Sequence, residues 1–203
     1  WDAYKDELLE RLGSENKIVR LLLNRAKLNP KRVVFAEADQ LAVLKAAQIV
    51  YEEGIAVPIL LGRKDTILKL MEEIEFEAEV QIIDPKSDEE ESRKNSYAKV
   101  YWRQCKRKGV TLYSAEKLMR ERNYYAAMMV NEGDADALIS GYSRSYPTVV
   151  KPMLELIGLA PGSTRAATTN VMMTQRGPMF LSDTSININP SANDLTRIAQ
   201  MTA

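Results

Sequence analysis

Apolar positions along the chain fall into blocks of two different periods. Leu8, Leu9 and Leu12 lie at helical spacing and predict a helix over residues 2–12, ended by Gly13. Ser14 then stands as N-cap of a second helix carrying Ile18, Leu21, Leu22 and Leu23, which Asn29-Pro30 breaks. "RVVFAE" (32–37) is an apolar run of the buried-strand kind. Asp39 is placed to cap a helix with Leu41, Leu44, Ala47 and Val50, closed by Gly54. "VPILLG" (57–62) predicts a second strand, residues 65–74 a short helix, and "EVQIID" (79–84) a third strand. "PKSDEEESRKN" reads as a solvated entry to a long helix over 90–108, closed by Gly109. "SAEKLMRERN" and "YYAAMMVNEG" predict two more helices, "DALISG" a strand, and 146–158 a helix ending at Gly158. Two strand-like runs follow, "TRAATTNVMM" and "PMFLSD", joined by "QRGP". Ser191 then caps a last helix.

Strand, helix, strand, helix, strand is the order of a parallel α/β sheet. A second set of strands after a helical middle predicts two α/β lobes. The pattern stops within its last helix, as a second lobe cut short would. A chain of 203 residues accommodates one large domain or two small ones, and no internal repeat divides it further.

Composition narrows the chemistry. Charge is balanced at 28 Lys+Arg against 28 Asp+Glu, which argues against wholesale binding to nucleic acid or membrane. There is no histidine, so His-based triads, general bases and metal ligands are excluded. Cys105 is the one cysteine, which excludes an internal disulfide and a structural zinc site and fits a reducing, cytoplasmic setting. Carboxylates, hydroxyls, Lys, Arg and backbone N–H groups remain.

These groups concentrate in "GDADALISGYSRSYPTVVKP" (133–152). A loop at the carboxyl end of a parallel strand, leading into a helix, is where open α/β sheets hold ligands, and its amide protons favour an anion. Ser140, Ser143, Ser145 and Tyr146 supply hydroxyls, Arg144 a guanidinium fork, and Gly141 room for close approach. A capped loop whose hydroxyls satisfy local backbone groups is the competing reading. No "GxxxxGK[ST]" or "GxGxxG" is present.

Several blocks resemble phosphotransacetylases in order and spacing. They are "NPKRVVFAEAD…VLKAAQIVYEEGIAVPILLGR", "RKGVT", "GDADALISG" and "MFLSDTSININPSANDLTRIA". The resemblance implies a three-layer α/β sandwich in two lobes, 29–139 and an incomplete 140–203. In the family a carboxylate deprotonates the CoA thiol, whose pKa is about 8.5, for attack on acetyl phosphate. Hydroxyls and Arg side chains hold the phosphate there. The family's phosphate-side loop falls on Ser140–Pro152, with Lys151 at its end. "VFAEA" in place of Leu-Pro-Glu-Gly, and the extra helix at the start, resemble a subset: the C-terminal phosphotransacetylase-like domain of large NADP-dependent malic enzymes. Residues 1–28 are then linker helices from an N-terminal malic enzyme domain. That domain uses NADP and a divalent metal (Mg or Mn) to convert malate to pyruvate.

Departures from the active pattern accompany the resemblance. Arg144 stands where active members have His, Tyr146 replaces a small hydroxyl, Val149 a Thr, and Lys151 an Arg. Cys105 takes an Arg position, and the catalytic "LSRG…D" block has no counterpart. The expectation is a transferase-inactive domain that binds acetyl-CoA as an allosteric effector and supports a homo-oligomer. The alternatives are an active phosphate acetyltransferase binding acyl phosphate, and a purely structural assembly module. Arg107 and Lys108, in a basic helix end, and Asp183, after a strand, are secondary candidates. The competing readings are a solvated helix terminus and a turn.

Overall fold

The computed structural model describes residues 13–174 and 177–203, with side chains described from residue 19; the helix expected over 2–12 lies outside them. Two compact units are present, one running Ala26–Gly158 and the other containing Leu159–Ala203. Helix α1 (Gly13–Leu28) belongs through Arg25 to the second of these units, with Val19, Leu21, Leu22 and Leu28 exposed along it. Ser14 lies inside this helix, whose first described residue is Gly13.

The first unit alternates strand and helix. Its elements are β1 (Lys31–Phe35), α2 (Leu41–Glu52), β2 (Ala56–Leu61), α3 (Lys64–Glu73) and β3 (Gln81–Ile83). They continue with α4 (Glu91–Cys105), α5 (Leu112–Leu118), α6 (Arg122–Asn131), β4 (Ala137–Ile139) and α7 (Tyr146–Leu156). All four strands pair in parallel, in the order β3-β2-β1-β4. Parallel neighbours require crossovers, and the helices that make them cover both faces of the sheet. Alternation along the strands divides the core in two. Val34, Ala36, Ile59 and Leu61 face α4–α7, whereas Phe35 and Leu60 face Leu44, Ala47, Ile67 and Met71 of α2 and α3. The expected three-layer arrangement is present. Helix α7 packs in this unit through Val149 and Leu156, so the unit extends past the 139/140 division expected from sequence.

Helix α6 has no solvent-facing stripe: Asn123 through Met129 are all buried. The "YYAAMMV" run is therefore core helix. Its tyrosines, and those of α4, carry their hydroxyls to carboxylates. Tyr97 donates to Asp134, Tyr125 to Glu90 at 2.5 Å, and Tyr101 and Tyr124 both to Glu155 at 3.2 and 2.8 Å. Burial, then the Glu155 charge, pushes the Tyr101 hydroxyl up to about 12, so it remains a donor throughout the neutral range. Helix α2 ends in a Schellman arrangement. Gly54, at φ +65°, donates to the Tyr51 carbonyl and Ile55 to that of Val50. The N-cap of α2 is Gln40, without a side-chain cap bond. Asp39, expected to cap it, turns its carboxylate to Arg122 instead.

The second unit holds a hairpin of β5 (Thr169–Thr174) and β6 (Gly177–Ser182), paired antiparallel, followed by α8 (Ala192–Thr202). Two linking residues leave no room for a parallel crossover. Ser191 caps α8 as expected, in a box with Asp194, whose carboxylate also accepts from Arg165 Nε at 2.6 Å.

At the amino-terminal edge of the sheet, Arg32 clips β1 to the start of β4. Its amide, Nε and a terminal nitrogen bond Asp136 at 2.8–3.2 Å, and the guanidinium also reaches the carbonyls of Gly133 and Asp134. These bonds from Arg32 hold the Asp136 carboxyl down at about 2. A depressed carboxyl pKa stabilises the fold above its unfolded value, about 3.9, and that contribution is lost as pH falls toward 2. Asp136→Asn should therefore lower the urea midpoint at pH 7. The difference from the parent protein should close as both are titrated to pH 2 to 3, followed by circular dichroism.

Candidate functional site

The strand order defines where a ligand can approach. The chain moves outward from β1 to β3, then returns to place β4 on the other side of β1. Loops leaving β1 and β4 therefore diverge, and open α/β sheets bind ligands in the crevice beyond such a reversal. Phe35 pairs with Ile139, so the register carries Glu37 opposite the loop that begins at Ser140.

Glu37 is 3% exposed, and four donors of that loop converge on it. Its Oε2 accepts from the amides of Gly141 and Tyr142 at 2.9 and 2.7 Å; its Oε1 accepts from the amide of Ser143 at 3.1 Å and from the Ser143 hydroxyl. Successive amides pointing one way make a concave anion seat. Gly141, at φ +109°, supplies the turn that aims them. Burial pushes the Glu37 carboxyl up. The Ser143 hydroxyl and the three amides outweigh that effect and hold it below the usual carboxylate range, so it is charged at neutral pH.

Supporting contacts surround this seat. The Ser140 hydroxyl donates to Asn123 Oδ1 at 2.7 Å, tying the loop to the start of α6. One residue earlier, Arg122 grips Asp39 with both terminal nitrogens, at 2.6 and 2.5 Å. The Asp39 side chain is only 5% exposed, and Arg63 stands 4.0 Å from it. Gly62 leaves β2 against Asp39, where a β-carbon would meet that side chain at 3.4 Å. Beyond β2 and β3, a cleft of about 450 Å³ is lined by Arg63 and Lys64 but also by Asp65, Asp84, Asp88 and Glu89. Four carboxylates against two cations disfavour a polyanion in that cleft.

The predicted site residues separate into three groups. Ser140, Gly141, Ser143, Arg144 and Ser145 lie in one continuous loop, and Tyr146 is the first residue of α7. Arg144 and Tyr146 are exposed, and Ser145, the N-cap residue of α7, pairs its hydroxyl with that of Thr148 at 2.8 Å. Lys151 sits one turn into α7, largely exposed, with Nζ 3.8 Å from Glu155. Arg107 and Lys108 do not join them. They follow α4, which starts at the carboxyl edge of the sheet and runs past Asp134 toward the opposite edge. Asp183 belongs to the second unit. It adopts φ +57° and accepts from the Asn187 amide at 3.3 Å, while its other oxygen and the Thr168 hydroxyl are buried without partners among the described residues.

Within the loop expected to hold an anion, the amide protons of residues 141–143 are committed to Glu37. The sequence reading missed Glu37, Asn123, Asp39 and Arg122. The available signal was a carboxylate ending the buried run "VVFAE".

A parallel sheet whose strand order reverses between β1 and β4 defines an open α/β fold. The chain belongs to the phosphate acetyl/butaryl transferase family, whose model matches residues 17–203. It is 32% identical to an NADP-dependent malic enzyme of Haemophilus influenzae, over 100% of this chain and 27% of that protein. It is also 32% identical to a phosphate acetyltransferase of Thermoanaerobacterium thermosaccharolyticum, over 92% of this chain and 57% of the other. Among solved structures, a phosphotransacetylase from Streptococcus pyogenes superposes with a TM-score of 0.76 at 29% identity, over 89% of this chain and 56% of that one. EutD phosphotransacetylase from Staphylococcus aureus shares the fold with a TM-score of 0.79. The chain thus spans little more than half of these acetyltransferases and about a quarter of the malic enzyme.

Removing one partner of a buried ion pair strands the other charge. Arg122→Ala should destabilise the fold by on the order of 3 kcal/mol, read from urea denaturation at pH 7. Arg122→Lys should recover only part of this, because an ammonium cannot grip both Asp39 oxygens.

Proposed function

We propose that this chain is a phosphotransacetylase-type regulatory domain of a malic enzyme, which binds acetyl-CoA at the loop after β4 without transferring its acetyl group. The observation that carries the malic enzyme reading is coverage. The Haemophilus malic enzyme aligns with all of this chain, whereas the family model begins at residue 17 and the Thermoanaerobacterium acetyltransferase covers 92%. NADP and a divalent metal act, in this reading, in the malic enzyme portion of the full protein.

The loop's chemistry supports binding over turnover. Arg144 and Lys151 present fixed cations toward solvent, suited to the phosphates or carbonyl of an acyl-CoA. Stabilising a transition state demands closer geometry than binding does, and three of the loop's backbone donors, those of Gly141, Tyr142 and Ser143, are held by Glu37. Exposed apolar residues along α1 fit a role in homo-oligomer assembly.

A second reading, an active phosphate acetyltransferase, is favoured by the equal 32% identity to the Thermoanaerobacterium enzyme. Two measurements separate them. Calorimetric titration with acetyl-CoA should give a saturable heat, lowered severalfold by Arg144→Ala; absence of heat removes the sensor reading. Acetyl phosphate and CoA supplied to the full-length protein should yield no acetyl-CoA; turnover would establish the second reading.

A further inference from the structure

We propose that Glu37 is a positioning residue of the ligand loop: its carboxylate fills the 141–143 amide seat as a built-in anion and so holds Arg144, Ser145 and Tyr146 outward as the contact surface. The proposal deepens the reading of this loop as the acetyl-CoA site and rests on it.

The geometry is that of an oxyanion site already occupied. Three consecutive amides and one hydroxyl point at two oxygens, each oxygen accepting two bonds. A carboxylate has about four lone-pair positions, so the set is saturated. The tie is intramolecular and nearly dry, with Glu37 only 3% exposed, so an external anion competes against a partner of high effective concentration. An arriving phosphate would also face the Glu37 charge. Other charged groups around the seat are Arg122 and Asp39, paired with each other, and Arg144 on the loop itself. Ligand phosphates are therefore read by side-chain cations, and the backbone serves to shape the loop. Two consequences follow: binding is sensitive to ionic strength, and inorganic phosphate alone is a poor ligand.

The experiment uses the 203-residue chain in two forms. In the parent protein, hydrogen exchange should show the amides of Gly141, Tyr142 and Ser143 protected although the loop is exposed, and added phosphate should leave their NMR shifts unmoved. In Glu37→Ala the three amides should shift and lose protection. Acetyl-CoA affinity should fall roughly tenfold, about the worth of one charge-assisted hydrogen bond. Free acetate, a detached carboxylate, should restore both the shifts and part of the affinity, which a merely structural defect would not allow. Rapid exchange of the three amides in the parent protein overturns the proposal. So does a folded Glu37→Ala chain whose amides do not respond to acetate, or whose acetyl-CoA affinity matches the parent. If Glu37→Ala does not fold, Ser143→Ala, which removes only the hydroxyl bond, should partly deprotect the same amides; unchanged protection counts against the proposal. Protected amides and acetate rescue of their shifts, in a chain that gives no acetyl-CoA heat, would instead overturn the assignment of the loop as the ligand site.

Discussion

One carboxylate, surrounded by four donors across the gap between β1 and β4, organises the carboxyl-terminal edge of this domain. The reversal of strand order opens a crevice there, and backbone amides turned into a crevice need a partner. Glu37 supplies it from within the chain. The loop after β4 is thereby fixed in shape while Arg144 and Tyr146 stay in solvent, and α7 starts from a defined point. At the other edge, the Arg32–Asp136 clip does the complementary task of fastening the start of β4 to β1. A strand of only three residues, β4, is thus held at both ends by charged side chains of β1 or its exit loop.

Much of the fold could be read from sequence because its signals are local. The apolar runs "RVVFAE" and "VPILLG" lie within one or two residues of β1 and β2, and Gly54 and Ser191 mark helix ends where expected, whereas α4 gives way at Cys105 to a 3-10 turn that Gly109 closes. "EVQIID" was longer than the strand it became, since only Gln81–Ile83 pair with β2. Asp39 shows the limit of local reasoning. By position it is a good helix cap, yet its nearly buried carboxylate gains more from a two-pronged bond with a guanidinium 83 residues away. The site divides in the same way. The hydroxyl-rich loop and Arg144 were visible as a motif, whereas Glu37 and Asn123 were not. Their roles depend on strand register and helix placement across separations of 104 and 17 residues.

The chain has the fold of the phosphate acetyl/butaryl transferase family. At the loop after β4 and in the helix that follows, Arg144 and Lys151 carry positive charge. Charge suffices to attract an anion, and recognition by flexible side chains survives substitutions that group transfer does not.

The two faces of the sheet are fastened differently. On one side α2 and α3 adhere through apolar contacts, Phe35 and Phe76 among aliphatic side chains, which have little preferred direction. On the other, four phenols of α4 and α6 are anchored to carboxylates at the base of β4, in the entry to α4 and in α7, by bonds that weaken steeply when misaligned. Contacts of the first kind depend on close packing, those of the second on bond direction as well. Helix α7 carries Glu155 and starts directly after the loop that follows β4, so the directional bonds of this layer extend to the helix that leaves that loop.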